Sequence, residues 1–246
     1  MSLEGLTQID ILTGIFSSIF AIVCIIMGVI IISKYFKLKN KELFTFGLTW
    51  IFLGSSWWGT SLSFFNYLFF DVAYDITMLL FIGEVFFPLT VIFWMYSFSV
   101  LLYPNTKKKI TIIFTLIVAI YEIFLIYFIF NAPTIIAIEF GMFDTQYNLF
   151  GLAYQGFAYI VSIVTGLLFS VQSIKSENPV VKWKGRFILL AIVTFSIAAV
   201  FQTLLPTNTI AIILVYILLI ISVFEFYLGF LLPERLKNWL IKYPEN

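Results

Sequence analysis

The chain has no histidine, a single cysteine, and charged residues at only 11% of its 246 positions. Without histidine, Ser-His-Asp hydrolysis, histidine-ligated haem and the usual zinc sites are all excluded. Cys24 alone forms no intrachain disulfide, and its place inside an apolar stretch assigns it to packing. The aspartates do not fall as a pair within the apolar stretches, which argues against an intramembrane aspartyl protease, and the last stretch lacks the lysine a retinal pigment needs. Soluble globular proteins carry about 25% charged and roughly 45–50% apolar residues. A chain that is 62% hydrophobic is not one of them.

What the sequence does have is apolar runs long enough to cross about 30 Å of hydrocarbon, which takes roughly 20 helical residues. They fall at 9–32, 43–70, 76–102, 110–130, 149–174, 187–205 and 209–232. Backbone groups in lipid must be satisfied within the segment, so these runs are helices. The expected fold is an all-α integral membrane protein: one domain over 1–246, a seven-transmembrane-helix up-and-down bundle. The amino terminus has no positive n-region and no small-residue cleavage site, so the first span is expected to be retained.

All fourteen Lys and Arg residues lie in four clusters, at 34–41, 107–109, 175–186 and 235–242, one after every second span. Cytoplasmic loops carry the excess of Lys and Arg, so these clusters face inward, the amino terminus lies outside and the carboxyl terminus inside. Glu4, Asp10, Asp71, Asp75, Glu139 and Asp144 then lie outside, and the basic face is attracted to anionic inner-leaflet lipids. Trp50, Trp183 and Trp239 are expected in an aromatic belt at the inner boundary. The one long outer loop, 131–148, has an apolar run before Gly141 and is expected to fold as a short hairpin, either a lid over the bundle mouth or simple interfacial packing.

Three ionisable residues fall inside spans: Glu84, Glu122 and Glu225. Each costs about 2.5–3.5 kcal/mol at a helix centre on insertion scales, which makes it a functional candidate. Glu84 and Glu122 belong to the outer half, where no basic partner is available. Each is expected either protonated or hydrogen-bonded in a hydrated cavity. Glu225 lies near the inner end of the last span, and Arg186, Lys109 or Lys34 is its expected partner. Pro88 is the proline deep inside a span and should kink the third helix.

Ser56, Thr60, Ser63 and Tyr67 make a polar stripe on the second span beside Asn66, and Ser55, Gly59 and Ser63 make a small-residue seam. With Gln155, Gln202, Trp58 and Tyr154 they outline a candidate outward pocket for a small lipophilic or amphipathic ligand. No internal repeat and no pair of Gly/Pro-broken helices is apparent.

Gly83, Pro88 and Phe93, followed by Tyr96, make a Gly-x4-Pro-x4-Phe segment, and 224–233 reads FEFYLGFLLP. With Gly141 and Tyr154 around the long loop, these resemble the seven-helix amino-terminal input region of bacterial and archaeal histidine kinases and diguanylate cyclases. The resemblance implies a sensory bundle that passes a signal to a cytoplasmic output domain. The sequence stops about a dozen residues past Pro233, so a separate cytoplasmic signalling protein would have to serve as partner.

Three readings follow: a receptor-like sensory module in the cell membrane, a carrier or proton-coupled transporter using Glu84 and Glu122, or a structural lipid-packing or assembly protein. Membrane lipids are the certain surroundings. No enzymatic activity, cofactor, metal or nucleic-acid partner is expected.

Overall fold

The computed structural model describes residues 5–204 and 208–241, with the side chains of 203 and 204 left aside. The turn expected around Pro206, the end of the sixth span at Leu205, and Glu4, Lys242 and Glu245 lie outside the described residues. Among the described residues six helices are long and apolar enough to cross a membrane. They are α1 (Gln8–Leu38), the joined pair α4 (Ile76–Glu84) and α5 (Pro88–Leu102), α6 (Lys107–Asn131), α7 (Leu149–Ile174), α8 (Pro179–Leu204) and α9 (Thr209–Leu231). The protein is a multi-pass, helical membrane protein.

Between α1 and α4 the chain runs through α2 (Lys41–Leu53), a 3-10 turn (Gly54–Trp57) and α3 (Trp58–Phe70), two α-helices joined in one path by the 3-10 turn. A short α10 (Glu234–Leu240) follows α9. Helix α8 begins eight residues earlier than the apolar run, with Pro179 in its first turn, where a missing N–H costs nothing. Lys182, Lys184 and Arg186 therefore ride on a helix end rather than in a loop.

Around the bundle, α1 packs on α2 and α3, α2 on α5, α5 on α7, α7 on α8, α8 on α9, and α9 closes on α1. Helix α6 stands outside this ring against α4 and α5, with Ile113, Leu116, Ile120 and Ile123 all more than half exposed on its outer side. Apolar surface of this kind is stable only against lipid tails. Interhelical hydrogen bonds tie the ring together: Ser17 Oγ to Tyr216 Oη (2.6 Å), Thr45 Oγ1 to Ser97 Oγ (2.7 Å), and Trp94 Nε1–H donating to Thr165 Oγ1 (2.7 Å).

Two adjacent helical paths are interrupted at one level, a pairing that is not apparent from sequence. Pro88 has no N–H for the Glu84 carbonyl and leaves 85–87 outside both flanking helices; Phe87 N–H instead reaches the Glu84 carbonyl at 3.3 Å and Thr90 N–H the Phe87 carbonyl at 3.0 Å. Opposite it stands the 3-10 turn, whose Ser55 hydroxyl donates to the Gly83 carbonyl (3.4 Å). Gly59 closes the seam, because a Cβ there would collide with the Leu79 carbonyl.

Candidate functional site

The loop 131–148 folds as a hairpin. Strands β1 (Ala137–Phe140) and β2 (Asp144–Tyr147) pair antiparallel, with Phe140 opposite Asp144. Gly141 opens the turn at φ +69°, a backbone conformation glycine adopts without strain. The hairpin is anchored on every side. Phe143 is buried between the rings of Phe64 and Tyr67 (5.5 and 5.6 Å). Met142 N–H donates to Asp10 Oδ1 (3.0 Å), while the other oxygen of Asp10 accepts from Thr7 in the capping box that starts α1. Ile136 and Ala137 are fully buried with Leu80, Leu125 and Ile129, so the loop forms the expected hairpin and packs onto the bundle.

Beneath the hairpin lies a cluster of carboxyls and phenols. Glu84, only 3% exposed, accepts a 2.5 Å hydrogen bond from the Tyr147 hydroxyl. Burial and the adjoining Glu84 carboxyl push the Tyr147 phenol well above its ordinary range, so it remains a donor. Glu122 on α6 lies within electrostatic reach of Glu84, and both act on Tyr121 and Tyr154. Tyr121 and Tyr154 stack at 3.8 Å, with Phe150 at 5.0 Å from Tyr121, and so join α6 to α7. Two polar atoms in the cluster are buried without a partner: Glu122 Oε2 and the Tyr154 hydroxyl. Buried polar groups are ordinarily hydrogen-bonded, and an unpaired one in low dielectric is expensive.

In the hairpin, burial pushes the Asp144 carboxyl up to about 6, opposed by the Thr145 N–H it accepts at 2.8 Å.

Of the residues singled out from sequence, Glu84, Glu122 and Tyr154 come together. Gln155, one residue on from Tyr154, is partly buried. Trp58 lies elsewhere, with its ring 5.7 Å from Phe86 in a ladder with Phe52 and Phe93. Asn66 caps the end of α3 by donating to the Val72 carbonyl (2.7 Å). Gln202 is exposed on α8. The indole Nε1 of Trp58 is buried without a hydrogen-bond partner. Trp50 is not in an interfacial belt; it is buried in the bundle, edge-on to Phe226 (5.3 Å).

Among the described residues Glu225 has no basic partner either. Its carboxyl faces Thr194 on α8, with Oε2 unpartnered. Arg186 lies eight residues before Thr194, about 12 Å along the helix at 1.5 Å per residue, and stacks on Trp183 at 4.5 Å. Among the described residues the one ion pair is Lys237 with Glu234 (3.9 Å), within α10. Lys184 instead donates to the Phe230 carbonyl (2.8 Å) and satisfies an orphan acceptor at the end of α9.

Sequence reasoning missed Tyr147 and Tyr121, the two phenols that bracket the acids. Tyr121 immediately precedes Glu122, a signal that was available; Tyr147 is 63 residues from its partner and carried none. No group of three metal-ligating side chains occurs among the described residues. No protein-family model, curated protein or solved structure matches the chain, and its function is read from the geometry of this site.

Proposed function

We propose that the chain is a receptor-like sensory module of the cell membrane. It spans the membrane seven times, the α2–α3 path supplying the seventh crossing, with the amino terminus and the hairpin outside and the basic ends inside. A small lipophilic or amphipathic ligand with a cationic or hydrogen-bonding group engages Glu84, Glu122 and Tyr154 under the lid, and movement at the Pro88 break alters the inner face for a cytoplasmic partner. The module is a relative of the seven-helix input region of histidine kinases and diguanylate cyclases. The observation that carries this reading is the lid's own Tyr147 bonded to a buried carboxylate at the end of α4, next to two buried polar atoms with no partner. Anything that competes for Glu84 acts on the lid and on the helix break together.

The test is crosslinking from photoreactive residues at positions 182 and 235 in native membranes, comparing the wild type with the double variant Glu84→Gln, Glu122→Gln. A specific partner whose capture changes in the double variant supports the reading; the absence of any specific inner partner overturns it.

A carrier or proton-coupled transporter is the second reading, favoured by the two helix interruptions lying side by side next to the acid pair. Proton flux into liposomes separates it: a carrier loses flux in Glu84→Gln and Glu122→Gln, whereas equal flux in empty and protein-loaded vesicles eliminates it.

A further inference from the structure

We propose that the centre of the bundle holds a second binding site, separate from the acid pair, for a small uncharged aromatic molecule carrying one hydrogen-bonding group. A void of about 50 Å³ lies between α2, α5, α7, α8 and α9. Its walls include six aromatic rings, Trp50, Phe87, Trp94, Tyr159, Phe195 and Phe226, and no charged side chain. Trp94 is fixed by its bond to Thr165, so one wall is preset.

One polar atom is aimed into this space without a partner. Thr90 is 6% exposed and its hydroxyl makes no hydrogen bond. Several other buried hydroxyls in the helices turn back to the preceding turn's carbonyl, Thr49 to Thr45, Ser61 to Trp57, Ser97 to Phe93 and Ser170 to Gly166. Ser56 and Thr111 are unpartnered like Thr90, but of the three only Thr90 lines this void. Thr90 follows the Pro88 break, where the regular ladder is missing, and its hydroxyl is left for the void. A chain of waters is a poor occupant. Each would need about 10–15 Å³ and two to four polar partners, and the lining offers mostly apolar surface. A flat uncharged ring satisfies the walls by edge-to-face contact and Thr90 by a single hydrogen bond. Tyr159 and Phe195, edge to face at 5.7 Å, are only partly buried and form a side of the site that can part to admit it.

The test uses the full chain in lipid nanodiscs with 4-bromophenol as probe, whose bromine quenches Trp50 and Trp94 emission. The expected result is a saturable component of quenching above the linear part caused by partition into lipid. Ala158→Leu fills the void and should remove that component; Ala158→Val keeps the test decisive if the larger side chain prevents folding. Thr90→Val should weaken 4-bromophenol about fivefold, the worth of one neutral hydrogen bond, and leave bromobenzene unchanged. Glu84→Gln should have no effect, which separates this site from the acid pair. Quenching that is linear in probe, that survives both Ala158 variants, or that vanishes with Glu84→Gln overturns the proposal.

Discussion

At the hairpin end of the bundle, carboxyls are held inside protein: Glu84 under Tyr147, Glu122 with a free oxygen, Asp144 in the lid. At the opposite end none of the described Lys or Arg side chains is buried, and Lys184 meets a carbonyl, Arg186 a tryptophan face and Lys237 the exposed Glu234. A bundle that needed charge only for solubility and orientation would treat both ends as it treats the basic one. The basic end also buries a carboxyl oxygen, Glu225 Oε2, but only the hairpin end gathers Glu84 and Glu122 with phenols beneath an ordered hairpin, and in the proposed reading that concentration makes it the recognition end.

The comparison breaks most readily at the seam that supports the acid-bearing helix. Gly59→Leu drives a side chain into the Leu79 backbone, which cannot move aside, and should cost roughly 3 kcal/mol. The check is loss of monodisperse protein and a lower Tm in detergent. Next in size, Tyr147→Phe removes the donor to Glu84 and should destabilise by about 2 kcal/mol, as for a buried acceptor left unsatisfied. In a double-mutant cycle with Glu84→Ala the two effects should be far from additive; additive values would show that the contact carries no energy.

A pH titration sharpens the contrast at smaller amplitude. The Asp144 carboxyl is raised in the folded state to about 6, above an unfolded value of about 3.9. The folded form therefore binds the extra proton between those values, and its stability falls as pH rises through that window. Protection of 137–147 against hydrogen exchange, taken relative to the intrinsic rate at each pH, should fall from pH 4 to 7 and become independent of pH in Asp144→Asn; an unchanged profile in that variant would assign the effect elsewhere. Smallest of all, Gln202→Ala on the exposed side of α8 should move stability by less than about 0.5 kcal/mol in thermal melts.

Much of this organisation is legible in the order of residues. Lengths of apolar runs mark the helices because lipid demands a fixed number of turns, and Gly141 after an apolar run marks the hairpin. Pro88 announces its break by chemistry alone. The matching interruption at Gly54–Trp57 is not legible, because Gly-Ser-Ser-Trp also fits a continuous helix with a polar stripe; only packing beside Gly83 and Cys24 makes it a 3-10 turn. Asn66 and Gln202 have suitable polarity, but polarity alone does not reveal that Asn66 is engaged with the Val72 carbonyl or that Gln202 is exposed on α8. Tyr147 reaches Glu84 through a loop whose path is set by long-range contacts to α1 and α3.

The account turns on whether the state of the lid is felt at the basic end. Hydrogen exchange of wild type and Tyr147→Phe in nanodiscs, followed in the hairpin and in α10 together, tests this most directly. The account predicts faster exchange in 137–147 accompanied by a change in 234–240; a change confined to the hairpin would contradict it.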